Sequence, residues 1–544
     1  MNKSKISSVT YDVVVERDVK VPMPDGTILL ADRHYPRGVE KFPTILMRSP
    51  YGRAAMSDIE FGQPFAKRGF HVFIQSCRGT FGSGGKFRPY LDDHADGLAT
   101  VAWIKKQPWF NGQLATMGQS YLGYTQWAIA ADAGPELKAM VAEIGMHNMR
   151  EHTYPSKSFA LDHTLFWAYS TTTQESRPPS DDPKARLEAQ EVLFKTMEPA
   201  FRMLPLIESY KLATNGQKVD FFEEWLTHEP DDPHWDPGDW TSSIHKIKAP
   251  VSLVTHWFDL FLPQMITQYN ELKRAGQNPY MLMARGPHFS IDPEILEIGM
   301  HEYIAWMNAY LMGDRSMLRK KPVRIFIMGS EKWRDFDEWP PKGYVKQRWH
   351  LQPNKMLDIK IPVQSEPDYY RYDPANPTPA VGGSSLLANT AGQADNRELE
   401  ARPDVLAYSS DVLKGDIEVI GPISVELFAK SSLEHTDFFA RLCDVDPSGK
   451  SVNICDNLIR LKPGYINPEG DGSFKLNFEL WPTAYCFRLD HRIRLQVSSG
   501  AHPRFVRNLG SGEPLATGKT LHIANQTIYH DPTHPSAIVL PIKK

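Results

Sequence analysis

The segment Met117-Gly118-Gln119-Ser120-Tyr121-Leu122-Gly123 decides the fold class of this 544-residue chain. Residues 113–117 before it have the pattern of a short buried strand, and the apolar residues 121–133 after it predict a helix. A serine at such a strand-to-helix turn is typical of a nucleophile elbow. The second glycine of the usual G-x-S-x-G pattern falls one position late, so an ordinary βα turn with Ser120 as helix N-cap stays open.

Strand and helix patterns alternate on both sides of this segment. The further predicted strands lie at residues 43–47, 70–74, 137–144, 251–255 and 280–284. The further predicted helices lie at residues 61–69, 92–106 and 294–311. Such alternation favours a parallel sheet, and with the serine turn it predicts an α/β-hydrolase core.

The alternation is interrupted once and then ends. Residues 147–240 are aromatic, Pro-punctuated and predicted to be helical without strands, which indicates an inserted helical cap. From about residue 346 the pattern is nearly all β, which favours a C-terminal jelly-roll domain, with residues 364–407 as a long surface excursion. The predicted α/β-hydrolase core therefore has two parts, residues 1–146 and 241–345, and the jelly roll covers 346–544.

Serine hydroxyls are weak nucleophiles without a base, so a histidine and a carboxylate should lie near Ser120. In α/β-hydrolases these partners follow the serine in the order acid, then histidine. Asp259 follows one predicted strand and His288 follows the next. Because the carboxyl ends of parallel strands share one edge of a sheet, we predict a catalytic triad of these three residues. Taken singly, Asp259 also suits a helix N-cap and His288 an ordinary loop.

Three other histidines, His147, His163 and His256, compete for the role of base. His256 precedes a tryptophan, which favours a packed ring over a catalytic one. The order and spacing of the acid and histidine candidates favour His288 instead.

An oxyanion needs hydrogen-bond donors, and two candidates are present. The backbone N–H of Tyr121, next after the nucleophile, is one. The second should come from residues 48–53, where the Tyr51 hydroxyl sits in a Pro-Tyr-Gly turn. A tyrosine that merely packs in the turn is the alternative.

Aromatic residues on the cap and at the strand ends are candidates for an acyl pocket. They are Phe166, Trp167, Trp257, Phe258 and Phe261. Aromatic walls favour an aromatic or bulky apolar acyl group. Packing between cap and core is the alternative for each of them.

Bulk composition excludes several function classes. The chain has 61 basic and 65 acidic residues, a net charge of −4, so we expect no nucleic-acid partner. No apolar run is long enough to span a membrane, and the polar start lacks the apolar core of a signal peptide, so we expect a cytoplasmic protein without a membrane partner. Neither the four cysteines nor other residues form a metal or nucleotide motif, so we expect no cofactor, and Cys77 should be a buried thiol.

Short segments along almost the whole chain resemble one known family. They are Arg48-Ser-Pro-Tyr51, Arg78-Gly79 with Ser83-Gly84, Gln107-Pro108-Trp109, Gly118-Gln-Ser120-Tyr-Leu-Gly123, Trp257-Phe-Asp259, Tyr372-Asp-Pro-Ala375, Thr436-Asp437, Asp444-Val-Asp-Pro-Ser-Gly449 and Pro503-Arg-Phe-Val-Arg-Asn508. In this order they resemble the cocaine esterase-like (CocE/NonD) serine hydrolases, which are related to α-amino-acid ester hydrolases and X-Pro dipeptidyl peptidases. In that family the elbow has the form G-x-S-Y-x-G, which accounts for the late Gly123.

The resemblance implies the same three domains, the Ser120, Asp259 and His288 triad, and an oxyanion hole of the Tyr51 hydroxyl and Tyr121 N–H. The chain departs from the family pattern in two places. Ser76 stands where the family usually has Asp before the Arg-Gly pair. The family's Trp near the histidine is missing from Ala284-Arg-Gly-Pro-His288, which would widen or reshape the pocket beside the base.

We therefore predict a serine hydrolase that cleaves carboxylic esters through an acyl-enzyme. An amidase, peptidase or β-lactam acylase with the same triad is the alternative, and an acidic cluster that grips a substrate amine would distinguish it, with Asp162 and Glu143 as candidates. An inactive hydrolase that serves as a binding module is a third interpretation. Small esters or amides are the expected partners, and self-association through the jelly roll is left open.

Overall fold

The computed structural model describes residues 11–38, 40–53, 61–176, 183–290, 292–387 and 390–544. Its first part alternates strands and helices, as the sequence pattern predicts. The elements are β1 (Val13–Pro22), β2 (Ile28–Pro36), β3 (Phe42–Ser49), α1 (Gln63–Ala66), β4 (His71–Ser76), α2 (Asp93–Lys105), β5 (Phe110–Gln119), α3 (Tyr121–Ala130) and β6 (Leu137–Glu143). The antiparallel pair β1 and β2 is followed by parallel strands, so the elbow at Ser120 lies at the carboxyl end of β5.

A helical segment separates β6 from the rest of the sheet. Its α-helices are α4 (Met149–Thr153), α5 (Leu161–Thr173), α6 (Pro183–Arg202), α7 (Ser209–Ala213) and α8 (Asp220–Thr227). The described part of this segment contains no strand, only an isolated β-bridge between Asn148 and Asp239. Its buried aromatic residues form one cluster with the residues around the elbow, so the segment covers the carboxyl edge of β5.

The sheet continues after this segment. The elements are β7 (Val251–Phe258), α9 (Leu262–Arg274), β8 (Tyr280–Pro287), α10 (Pro293–Met307), β9 (Val323–Ile327) and β10 (Lys332–Phe336). The ten strands lie in the order β1-β2-β4-β3-β5-β6-β7-β8-β9-β10, and the pairs from β4 to β9 are parallel. Consequently β5, β7 and β8 end at the same edge of the sheet.

Helices cover both faces of this sheet. Ile45 and Met47 of β3 pack on one side, in a cluster with Phe65 of α1 and Trp306 of α10. Leu46, between them, points to the other side and joins residues of α2, α3 and α9, because successive side chains of a strand alternate. This second cluster continues into the core of the C-terminal domain.

The C-terminal domain is all β except for the short α11 (Arg397–Glu400). Its strands are β11 (Tyr344–Gln352), β12 (Met356–Asp358), β13 (Asp368–Tyr372), β14 (Leu406–Ser409), β15 (Ile417–Ser431), β16 (Thr436–Val445), β17 (Ser451–Leu461), β18 (Phe474–Phe487), β19 (Arg492–Ser498), β20 (Ala524–Tyr529) and β21 (Ala537–Lys543). They pair antiparallel, apart from a parallel contact between β12 and β14. The predicted α/β-hydrolase core with a C-terminal β domain is confirmed.

The predicted surface excursion at residues 364–407 is wrong. The stretch contributes β13 and part of β14, and Ser385 and Asn396 within it are buried. Ser385 donates a hydrogen bond to Asp162 of α5 at 2.6 Å, so the stretch packs against the helical segment. Its Pro, Gly and Asn content marks turns, whereas long-range contacts bury it.

The predicted domain limits stay predictions. Residue 146 lies between β6 and α4, residue 240 lies between α8 and β7, and residue 345 lies within β11. All four cysteines are buried free thiols, as expected for Cys77. In the described part of the chain, no helix is both long and apolar enough to cross a membrane.

Candidate active site

Ser120 occupies a strained turn between β5 and α3. Its φ of 56° and ψ of −120° are rarely adopted by a residue with a side chain. Its hydroxyl makes no capping hydrogen bond to α3, so the alternative of an ordinary N-cap serine is wrong. The turn instead presents the hydroxyl above the helix N-terminus, where developing negative charge is favoured.

Two glycines make this turn sterically possible. A Cβ on Gly118 would lie 2.4 Å from the Cβ of Leu122. A Cβ on Gly123 would lie 2.6 Å from the Cα of Gly145, in the connection after β6. The late glycine is therefore required because α3 crosses this backbone closely.

His288 and Asp259 lie beside Ser120, as predicted. His288 Nε2 is 3.0 Å from Ser120 Oγ, and His288 Nδ1 is 2.5 Å from Asp259 Oδ2. The other carboxylate oxygen, Asp259 Oδ1, accepts the backbone N–H of Phe261 at 2.7 Å. Both Asp259 and His288 are buried, so the carboxylate selects the tautomer in which Nδ1 donates and Nε2 is free to accept the serine proton.

The three competing histidines have other partners. His256 Nδ1 bonds the carbonyl of Pro287 at 2.8 Å, and His163 Nε2 bonds the carbonyl of His152 at 3.1 Å. His147 Nδ1 lies 3.2 Å from Gln268 Nε2, and burial lowers the pKa of His147 to about 4. The structure brings only His288, among these candidates, to the serine.

The Tyr51 hydroxyl points at the elbow. It accepts the indole N–H of Trp167 at 2.9 Å and lies within hydrogen-bonding reach of Ser120. The Trp167 N–H thereby holds the Tyr51 hydroxyl beside the serine. Although 37% of the residue is exposed, desolvation of the hydroxyl raises the pKa of Tyr51 to about 12, so it remains a donor at neutral pH.

Tyr121 is held in place by a buried polar network. Its backbone N–H is the first amide of α3 and has no acceptor within the helix. Its hydroxyl donates to Asp93 Oδ2 at 2.6 Å and accepts the N–H of Tyr90 at 2.9 Å. Arg48 lies 3.4 Å from the other Asp93 oxygen, and burial raises the pKa of the Asp93 carboxyl. The side chain thereby fixes the amide that would face an oxyanion.

Comparison with known proteins agrees with this geometry. Residues 25–290 match the X-Pro dipeptidyl-peptidase (S15) family, and residues 317–539 match the X-Pro dipeptidyl-peptidase C-terminal non-catalytic domain. The cocaine esterase of Rhodococcus sp. (strain MB1 Bresler) is 30% identical over 97% of this chain and 99% of that protein. This chain belongs to the cocaine esterase-like family of serine hydrolases.

Two solved structures share the fold of this cocaine esterase-like hydrolase. An aminopeptidase from the marine sediment archaeon Thaumarchaeota archaeon has a TM-score of 0.80 at 20% identity, covering 100% of this chain and 99% of that one. An α-amino acid ester hydrolase has a TM-score of 0.80 at 21% identity, covering 99% of this chain and 98% of that one. Both likenesses extend over the hydrolase core and the C-terminal β domain.

The first departure from the cocaine esterase-like pattern has a structural counterpart. Arg53, two residues after Tyr51, donates to Ser76 Oγ at 2.8 Å, at the position where the family usually has Asp. The carboxylate partners of Arg53 are instead Asp32 on β2, at 3.1 Å, and Asp18 on β1. Asp32 thus anchors the loop that carries Tyr51, and no linear motif pointed to it.

The second departure concerns the loop around His288. Arg285, in the stretch that lacks the family's Trp, pairs with Asp292 at 2.7 Å and with Glu294 at 3.1 Å. These ion pairs tie the loop to the start of α10. Phe261 packs edge-on against the His288 ring, with centroids 5.3 Å apart.

The structure brings some of the predicted pocket residues to the site. Phe166, Trp167 and Phe261 are buried in the aromatic cluster that includes Tyr121. The Trp167 ring stacks on that of Tyr121, with centroids 6.0 Å apart and planes 9° apart. Phe261 lies directly beside His288 and Trp167 bonds Tyr51, so these two residues border the site, whereas the role of Phe166 stays a prediction.

The prediction for Trp257 is wrong, whereas that for Phe258 stays a prediction. Trp257 donates its indole N–H to the carbonyl of Phe326 at 2.7 Å and packs against Trp339. Phe258 belongs to the same buried cluster. The Trp257 side chain therefore packs within the core, because the later strand β9 brings Phe326 to it.

Sequence reasoning missed three residues of the aromatic cluster, namely Tyr90, His152 and Trp225. Tyr90 and Trp225 stack with Trp167, each with centroids 5.9 Å apart. The His152 ring lies 5.3 Å from Phe261, and both its nitrogens are buried without a hydrogen-bond partner in the described structure. Burial lowers the pKa of His152 well below its usual value. No linear signal distinguished these residues.

The two carboxylates predicted as candidates to bind a substrate amine accept hydrogen bonds from other residues of the protein. Asp162 accepts Ser385 Oγ and the N–H of His163, and Glu143 accepts the Tyr303 hydroxyl. Among the described residues, no group of three or more His, Cys, Asp or Glu side chains is placed to hold a metal ion.

Proposed function

We propose that this serine hydrolase cleaves carboxylic esters with an aromatic or bulky acyl group, through an acyl-enzyme on Ser120. The observation that carries the proposal is the 3.0 Å contact between Ser120 Oγ and His288 Nε2, with His288 held by Asp259 at 2.5 Å. A nucleophile, a base and an orienting carboxylate in this order are the requirements for acyl transfer.

Acylation begins when His288 Nε2 takes the proton of Ser120 Oγ as that oxygen attacks the ester carbonyl carbon. Asp259 stabilises the imidazolium that forms, and the Phe261 N–H keeps the carboxylate in place. The carbonyl oxygen becomes an oxyanion, which the Tyr51 hydroxyl and the Tyr121 amide stabilise. Collapse breaks the ester C–O bond, and His288 returns the proton to the leaving alcohol.

Deacylation repeats these steps with water as the nucleophile. His288 takes a proton from water as the hydroxide attacks the acyl carbon. The bond between that carbon and Ser120 Oγ then breaks, and His288 returns the proton to Ser120 Oγ. The products are the carboxylic acid and the free enzyme, so no cofactor enters the reaction.

The surroundings of the triad support an aromatic or bulky acyl group. Phe261 packs against His288, Trp167 bonds Tyr51, and Phe166 belongs to the same buried cluster. Flat apolar walls favour a ring that can stack or pack edge-on. The relative named a cocaine esterase, at 30% identity over almost the whole chain, supports an ester as substrate.

Cleavage of an X-Pro peptide bond is the second candidate, because residues 25–290 match a family described as X-Pro dipeptidyl-peptidase. That reaction needs a partner for the substrate's free amine. Asp162 already accepts hydrogen bonds on both carboxylate oxygens, which favours the ester.

Hydrolysis of p-nitrophenyl benzoate, p-nitrophenyl acetate and an Xaa-Pro p-nitroanilide tests the proposal. We expect the benzoate ester to be cleaved with the highest kcat/KM, and Ser120→Ala to reduce it by about 10³-fold or more. Ser448→Ala, in a loop of the C-terminal domain, is the matched control. Intact-mass analysis after treatment with a fluorophosphonate should show one adduct, absent from Ser120→Ala. Undiminished hydrolysis by Ser120→Ala would overturn the assignment, and preference for the anilide would favour the peptidase.

A further inference from the structure

A cavity of about 340 Å³ lies between the helical segment and the C-terminal β domain. The end of α6 and residues 203–206 form one side, and residues 506–515 after β19 form the other. No residue of the triad or of the oxyanion hole lines it. Its volume lies in the range of small-molecule binding sites.

The wall of the cavity combines apolar side chains with charged ones. Its apolar side chains include Phe201, Leu204, Leu206, Leu461, Val506 and Leu515. Two of the cations on its lining already have carboxylate partners, since Lys462 pairs with Glu229 at 3.0 Å and Lys157 pairs with Asp231 at 3.1 Å. These pairs leave little unmatched charge on that part of the lining.

Arg507 differs from the other arginines of this region. Arg441 and Arg504 both pair with Asp456, and Arg460 pairs with Asp437. The buried Arg507 guanidinium donates only to the carbonyl oxygens of Pro374 and Arg202, with no carboxylate within 4.0 Å in the described structure. A buried cation without a counter-charge is costly, so an anion beside it would be stabilising.

The nearby carboxylate of Asp437 is already saturated. It accepts Arg460 Nε at 2.9 Å, Arg460 Nη2 at 2.7 Å and Asn508 Nδ2 at 2.8 Å. The segment Pro503-Arg-Phe-Val-Arg-Asn508, which belongs to the family pattern but has no part in the triad, therefore has one arginine left without a carboxylate. That arginine lines the cavity.

His502 is a further group on the cavity lining, and its polar atoms have no partner among the described residues. Both its ring nitrogens are buried. Burial, together with the charges of Arg507 and Arg202, lowers the pKa of His502 to about 3. An anion paired with Arg507 would oppose that field.

We propose that this cavity binds a small organic carboxylate, whose carboxylate group pairs with Arg507 and whose apolar body packs on the surrounding leucine, valine and phenylalanine side chains. A planar guanidinium matches a carboxylate through two parallel hydrogen bonds. One unmatched cation calls for one negative charge, and the apolar wall calls for a hydrocarbon or aromatic body. Since both the helical segment and the β domain line the cavity, the bound acid would connect them.

Calorimetric titration with benzoate tests the site. The protein is first labelled at Ser120 with a fluorophosphonate, so that benzoate cannot occupy the acyl pocket, and labelling is checked by mass. We expect one benzoate per chain and at least tenfold weaker binding to Arg507→Gln. Arg507→Lys, which keeps the charge, should bind with intermediate affinity. Lys462→Gln, which changes a lining cation that already has a partner, should bind as the parent protein does.

Folding of each variant is followed by circular dichroism and thermal melting, because Arg507 also contacts two backbone carbonyls. Leu515→Trp provides a second variant, which fills the cavity without touching the charge and should also abolish binding. The proposal is overturned if labelled protein does not bind benzoate, if Arg507→Gln binds it equally well, or if inorganic phosphate binds through Arg507 while benzoate does not. Failure of the label itself would instead contradict the assignment of Ser120.

Discussion

Trp167 donates its indole N–H to the Tyr51 hydroxyl oxygen at 2.9 Å, and this contact holds the hydroxyl beside Ser120. The helical segment thus supplies a side chain that positions a donor of the hydrolase core. Stacking between Trp167 and Tyr121 links the same tryptophan to the second oxyanion donor. Trp167 of α5 therefore contacts both predicted oxyanion donors, Tyr51 and Tyr121.

Removal of the Tyr51 hydroxyl should impair catalysis more than binding. We expect Tyr51→Phe to lower kcat by about 10²- to 10³-fold with little change in KM, because the donor acts on the oxyanion. Trp167→Phe should lower kcat less, and it should have almost no further effect in the Tyr51→Phe background. Steady-state kinetics with p-nitrophenyl benzoate measure all three variants, with Tyr369→Phe on the exposed surface of β13 as control. Additive effects of the two substitutions would contradict the positioning role of Trp167.

Asp259→Asn should reduce kcat by roughly 10⁴-fold, because an amide favours the wrong tautomer of His288. The fold should be retained, since Asn can still accept the N–H of Phe261. Asp444→Asn is a matched control, because Asp444 is also a buried carboxylate that bonds a histidine, His491, at 2.8 Å. Steady-state kinetics of both variants test this prediction. Equal losses of kcat would indicate a general effect of altering a buried carboxylate rather than a role of Asp259 in catalysis.

Gly123→Ala should destabilise the protein, because the new Cβ would lie 2.6 Å from the Cα of Gly145 and backbone must move. Overpacking of this kind costs about 1–3 kcal/mol of unfolding free energy, and the shift of α3 should also lower activity. Gly415→Ala, where no atom lies within 4 Å of the new Cβ, should be close to neutral. Urea unfolding of the two variants is the measurement, and equal midpoints would contradict the steric argument.

Unfolding free energy should fall as the pH is lowered from about 6.5 toward 4. Burial lowers the pKa of His71 to about 3 and that of His147 to about 4, so the unfolded chain binds more protons in this range than the native one. Each such histidine contributes a slope approaching about 1.4 kcal/mol per pH unit.

His71→Phe should reduce that slope by about one histidine's share, because the aromatic packing on Trp109 and Phe42 is kept while the proton-binding group is lost. Urea unfolding between pH 7 and pH 4.5 measures it. Equal slopes for the variant and the parent protein would show that His71 is not the group responsible.

Much of the fold and of the triad could be predicted from local pattern. The alternation of short apolar strands with amphipathic helices predicts the parallel sheet, because each period reflects the burial of one face of one element. The order of Ser120, Asp259 and His288 after three such strands was enough to predict that their side chains lie close together, because parallel strands end at the same edge of the sheet. The late glycine was visible as well, although its reason, the close approach of Gly145, was not.

Sequence by itself therefore determined the fold class, the elbow and the candidates for the triad. Tertiary structure alone decided which aromatic residues surround the site, since Trp257 turned toward Trp339, far along the chain, while Tyr90 and Trp225 joined Trp167. It also decided that Asp32 and Asp18, on other strands, provide the carboxylates for Arg53 that Ser76 lacks. The physical reason is the same in each case: local periodicity reports that a side chain is buried, whereas its partners depend on segments that only the folded chain brings together.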